Sequence, residues 1–181
     1  MKRCVSTLWV LLALLFTASA SAATAHAIKE KFNRMQIGDR TLCLSDILYP
    51  NEQAMKVIEN GFLVQKSKDE LVYQTVLIYL LGNEITVNIH ALIVSRLNNE
   101  SFSNEFRDTF IQVTGLDQPN QAAAKANILK SYQESVVKQI SSVPYSAVIL
   151  NEKGYEISQQ EDQVSELSTC YISPIKTATA D

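Results

Sequence analysis

The sequence predicts an α+β fold: an antiparallel β-meander with a central hairpin at about 71–97, packed with two helices (about 101–114 and 118–142) and C-terminal strands. Three features carry it. Leu71–Leu97 is the most apolar run beyond the leader, is split by Gly82-Asn83, and alternates in its second half, with Ile85, Val87, Ile89, Ala91 and Ile93 on one side. That is the period of a half-buried strand. Phe102, Phe106, Phe110 and Val113 recur at spacings of four, four and three, one helical stripe. Ala122, Ala126, Leu129, Tyr132, Val136 and Ile140 line one face of a second helix. The alternative is a mostly α chain, because Ser67-x-x-Glu70 matches a capping box and Gly82 stands where a helix would end. Val72, Tyr73, Thr75, Val76, Ile78 and Tyr79 favour the strand, since β-branched and aromatic residues suit a pleated surface.

The first 22 residues read as a signal peptide. Lys2 and Arg3 precede the apolar run Leu8–Phe16, and small residues follow from Thr17 to Ala22. Cleavage after Ala20 or Ala22 fits, and Ala25 is a further possibility. The rival is an uncleaved anchor, but the apolar run falls short of the ~20 residues a spanning helix needs. Residues 23–175 then form one globular domain, and 176–181 a flexible tail. The expected location is the periplasm or outside the cell. No later stretch reads as an integral membrane segment.

The leader takes two basic residues and no acid with it, so the mature chain is two units more negative than the −3 of the full sequence. No basic patch exists, so nucleic acid is not an expected partner. Cys43 and Cys170 remain after cleavage. An even pair in an exported chain predicts a disulfide joining the start of the fold to its last strand.

In chain order, Ile28, Phe32 and Met35 give Ala27–Met35 helical spacing, broken by Gly38-Asp39. Thr41–Leu48 alternates weakly and reads as a strand holding Cys43, ended by Pro50. Asn51–Gly61 reads as a helix capped by Asn51 or as a hairpin turning at Asn60-Gly61; the hairpin is preferred. Ser67–Glu70 is a turn into the central hairpin. Gly115 stands where a helix C-cap belongs, Pro119 in the first turn of the next helix, and Val143-Pro144 at its stop. Ala147–Leu150 and Tyr155–Ser158 flank a hairpin turn. Gln159–Ser168 is polar and acidic and reads as a solvated loop, and Thr169–Ile175 as a final strand that Pro174 places at an edge.

Chemistry is sparse. There is no H-E-x-x-H, C-x-x-C, G-x-S-x-G, phosphate loop or dinucleotide glycine pattern, so no metal, cofactor or catalytic residue is expected. His90 shares a strand face with Thr86, Asn88 and Glu84. His90, Asn88 and Thr86 are therefore a weak candidate polar site, although a strand histidine on a polar face is ordinarily just solvated. Asn99-Glu100-Ser101 matches a glycosylation acceptor. Seven tyrosines fit an interface, since the ring is apolar and the hydroxyl hydrogen-bonds.

These observations favour a non-catalytic exported protein that binds another, still unidentified, protein, as inhibitors, immunity proteins and secretion or assembly accessories do. The alternative is a carrier of a lipid or other apolar small ligand, held between sheet and helix. A hydrolase using His90 or a carboxylate pair ranks third.

Overall fold

A computed structural model describes residues 24–50, 54–82, 84–161 and 163–175. The leader and the cleavage positions Ala20 and Ala22, Asn83 of the central turn and the tail 176–181 lie outside the described residues.

Among the described residues, nine strands form one antiparallel sheet: β1 (Arg40–Leu48), β2 (Ala54–Lys66), β3 (Glu70–Leu81), β4 (Ile85–Leu97), β5 (Ser101–Thr114), β6 (Ser141–Pro144), β7 (Val148–Leu150), β8 (Gly154–Glu161) and β9 (Val164–Ser173). Helix α1 covers 24–34, and α2 (Ala122–Ser135) connects β5 to β6. The antiparallel meander is as the sequence predicts, and the central hairpin is β3–β4, paired from Leu81↔Ile85 to Glu70↔Arg96; of the two helices expected at 101–114 and 118–142, the second is present as α2, and α1 falls on the expected short helix Ala27–Met35.

The sheet order is β6-β5-β4-β3-β2-β1-β9-β8-β7, so β6 and β7 are its two edges. Yet only Tyr145–Ala147, one turn of 3₁₀-helix, separates them in the chain. Laid flat, nine strands would hold their edges about 38 Å apart at the usual strand spacing. Three linking residues reach no more than about 14 Å even when extended. The sheet is therefore curled on itself into a nearly closed barrel, with no ladder described between β6 and β7. The linker is anchored where it crosses: the Tyr145 amide donates to Glu100 O at 2.8 Å, and its hydroxyl donates to Asn98 O at 3.0 Å.

Curling gives every strand an inner and an outer face. One inner row crosses most of the barrel: Tyr155, Cys170, Cys43, Glu59, Leu77 and Ile89 are successive cross-strand partners. Cys43 and Cys170 face each other directly on β1 and β9 and are joined by a disulfide, with Cα atoms 4.0 Å apart.

Two helices close the ends. Helix α1 plugs the end where β1 starts and β2 finishes. It buries Ile28 and Phe32, with Met35 just beyond its end, almost wholly, and the Phe32 ring packs edge-on against Phe102 and Tyr155, centroids 5.7 and 5.3 Å away. The Lys66 ammonium donates to the carbonyls of Asn33 and Met35 (2.5 and 2.7 Å), satisfying the end of this helix. At the other end α2 lays Ile128, Leu129 and Tyr132, and the residues just after it Val136 and Val137, over a cluster including Tyr79, Val87 and Val113. None of the α2 side chains is fully buried.

Several sequence expectations need correction. Residues 101–114 are strand β5, not a helix. Spacings of four are multiples of two as well as near one helical turn, so Phe102 and Phe106 both face inward on a strand. A bulge then shifts the register between His90 and Leu92 on the β4 side, with Asp108 at φ 48°. An inserted residue switches which parity faces the core, so Val113 points in while Phe110 is 63% exposed. The helical stripe was an alternation with a phase slip. The second helix is also shorter than 118–142: a 3₁₀ turn (Pro119–Gln121) leads into α2, which ends at Ser135, and Ser141–Pro144 are strand.

Asn60-Gly61 is no turn. It lies inside the continuous strand β2. Gly61 sits where three strands crowd together, and a Cβ there would come within 2.9 Å of Thr41 Oγ1 and 3.1 Å of Thr75 Oγ1. Glycine serves close approach here, not reversal. Gly115 is no helix cap but ends β5 at φ +87°, against the Glu84 carbonyl. Gln159–Ser168 is not a solvated loop but the β8–β9 hairpin. The last strand is interior, paired with both β1 and β8, and Pro174 follows it without marking an edge.

Candidate functional site

The barrel is not filled. Between the two plugs lies a cavity of about 330 Å³, reached by Phe32 from α1 and by Ser135 and Val136 from the α2 end. Its walls follow from strand alternation: each inward position contributes a side chain, and the mix differs around the circumference.

One side is mainly apolar, formed by Leu77 and Tyr79 of β3, Ile93 of β4, and Phe102 and Phe106 of β5, with the hydrogen-bonded pair Ser95 and Asn104 among them. The opposite side is polar. Glu59, Ser45, Ser168, Glu166 and Gln159 come from β2, β1, β9 and β8. Within this band Glu166 is well held. Its Oε2 accepts from Gln159 Nε2 at 2.8 Å, and its Oε1 accepts from the Ser168 hydroxyl at 2.7 Å. Ser168 and Ser45 hydroxyl oxygens lie 2.7 Å apart. Since one hydroxyl carries one proton, Ser45 donates to Ser168 when Ser168 donates to the carboxylate.

Glu59 has no such company. It is enclosed by the barrel, its remaining accessible surface faces the cavity, and no described residue hydrogen-bonds or ion-pairs with its carboxyl. Burial, with the nearby Glu166 adding repulsion, pushes that carboxyl from about 4.5 up to about 7. The tyrosine hydroxyls around it are likewise driven upward by burial, those of Tyr73, Tyr79 and Tyr155 above their ordinary range. Among the described lining residues there is no lysine, arginine or histidine.

The sequence-derived candidates lie elsewhere. His90 is exposed on the outer face of β4, its ring 6.2 Å from that of Phe110. Asn88 and Thr86 share that outer face, and Thr86 Oγ1 pairs with Thr114 Oγ1 at 2.5 Å. The barrel wall separates all three from the cavity. Of the site residues expected from sequence (Cys43, Cys170, His90, Asn88 and Thr86), Cys43 and Cys170 border it. The residue that reasoning from sequence missed is Glu59. Its signal was available: a lone acid at an inward parity, two residues from Val57 and Gly61, in a strand mistaken for a hairpin.

Among the described residues, no helix is long and apolar enough to cross a membrane, and no group of three or more His, Cys, Asp or Glu could hold a metal. Comparison with protein-family models, with curated proteins and with solved structures returned no match.

Proposed function

We propose that this protein binds one small, largely apolar molecule inside the barrel and holds it without chemical turnover, in a compartment outside the cytoplasm. The observation that carries this reading is the cavity between the two helical plugs. At about 330 Å³ it lies at the small end of the roughly 300–1,000 Å³ range of ligand pockets. Small up-and-down barrels with an unfilled interior hold a single ligand in this way. Apolar walls supply affinity, and a few fixed polar groups set orientation. A disulfide between paired strands fits an oxidising compartment.

The test is direct. Native mass spectrometry and titration with the neutral dye N-phenyl-1-naphthylamine should show one molecule per chain, with fluorescence enhancement on binding. Ser45→Phe, which places a ring into the cavity, should abolish the enhancement while the melting transition remains cooperative. No uptake by the unmodified protein would end this reading.

A second reading, recognition of another protein, is favoured by one observation. The outer faces of the adjacent strands β9, β1 and β2 carry Leu167, Tyr171, Leu42, Leu44, Phe62 and Val64, all substantially exposed. Apolar patches of this kind mark contact surfaces. A partner that binds through it should be lost on Leu44→Glu. A partner retained equally by the variant would place the contact elsewhere.

A further inference from the structure

The polar band also says which ligands the cavity prefers. Resting on the carrier reading, we infer that the barrel selects small organic cations, an aliphatic or aromatic amine whose ammonium sits on Glu59 while its hydrocarbon part lies against Leu77, Ile93 and Phe106.

Three independent features of the wall point the same way. The first is the unsatisfied carboxyl of Glu59, at an inward strand position lining the cavity without a described partner. A buried acid lacking a counter-charge is costly, and a ligand that brings the cation removes that cost. The second is the sign of everything around it. Facing Glu59 are Glu166 from β9, the phenols of Tyr73 and Tyr79 from β3, and Tyr155 from β8. The disulfide faces it from β1, Phe32 from α1, Ile93 from β4, Phe106 and Asn104 from β5, and Ser135, Val136 and Gln139 from the α2 end. None of these carries a positive charge. A fatty acid or other carboxylate would thus enter a space that holds two acids and, among the described residues, no base. The third is the aromatic setting. Rings of Tyr73, Tyr79 and Tyr155 line the same cavity, and aromatic faces attract ammonium groups. Glu166 does not compete for the role, because Gln159 and Ser168 already occupy its oxygens.

Isothermal titration of the full, disulfide-bonded chain with three probes of one skeleton tests this: phenethylamine, phenethyl alcohol and 3-phenylpropionate. The amine should bind at least tenfold tighter than the alcohol at pH 8, and the carboxylate should not bind measurably. Glu59→Gln should bring the amine-to-alcohol affinity ratio to about one. An arm without mutation guards against a variant that misfolds. Because Glu59 must be ionised to hold an ammonium, amine affinity should fall by up to about 50-fold between pH 7 and pH 5, with the alcohol flat. Equal binding of amine and alcohol, tighter binding of the carboxylate, or a pH-independent amine affinity overturns the inference while the carrier reading stands. If none of the probes binds and the neutral dye is also excluded, both fall together.

Discussion

Glu59 has a cost in stability that its neighbours do not offset. Burial and the nearby Glu166 push its carboxyl up to about 7 in the folded chain, from about 4.5 when exposed. The folded state therefore holds more protons than the unfolded chain between those values, and stability falls as pH rises through that window. Above pH 7 the loss levels off at on the order of 2 kcal/mol, discounted because part of the group faces the cavity. Glu59→Gln should accordingly melt higher than the unmodified protein at pH 8 and about equally at pH 4, as differential scanning calorimetry at both values would show. A variant less stable at pH 8 would mean that the carboxylate has a partner after all. At this scale the contrast with Glu166 is instructive. The two acids of the cavity differ in their partners: Glu166 accepts hydrogen bonds from Gln159 and Ser168, and no described residue hydrogen-bonds to Glu59.

The two helices close the barrel with unequal grip. Helix α1 anchors through Ile28, Phe32 and Met35, each almost wholly buried, and through the Lys66 contacts to its last carbonyls. Helix α2 buries none of its side chains fully; its best anchor is Tyr132, whose ring packs on Tyr79 at 4.9 Å. Local opening follows such differences in buried contact. Hydrogen exchange should find the α2 amides exchanging at least tenfold faster than those of α1, and addition of a bound ligand should slow α2 more than α1. Equal protection would remove α2 as the route of access. Phe32→Ala should cost about 3–5 kcal/mol, measured by urea unfolding, because it empties a site ringed by Phe102 and Tyr155. Phe102 and Phe106 satisfy a helix and a strand equally, and the bulge near Asp108 supplied the odd spacing that tipped the reading to helix.

For the whole molecule, ring closure and the disulfide act on different parts of the circumference. The Tyr145–Ala147 linker brings the edges β6 and β7 together. Cys43–Cys170 locks β1 to β9, positions 127 residues apart in the chain. Constraining so long a loop in the unfolded state is worth up to about 5 kcal/mol in the chain-entropy model. The double variant Cys43→Ala/Cys170→Ala should lose about 2–5 kcal/mol in urea unfolding and release the dye at lower denaturant than the oxidised protein. A loss well under 1 kcal/mol would show that the β1–β9 ladder alone suffices.

Much of this architecture was legible in the residues themselves. Strict alternation from Ile85 to Ile93 requires a strand whichever partner it has, because side chains point to opposite faces at every step. Gly82-Asn83 marks the reversal, and two cysteines beyond the leader imply their own pairing. What alternation cannot say is whether a sheet stays open or curls, since the same inward residues face either a neighbouring layer or one another. That choice was made by a linker three residues long between the outermost strands. Only the nearly closed barrel brings Glu59, Glu166 and three tyrosines around one space: they are distant in sequence, and curvature, not composition, makes them neighbours.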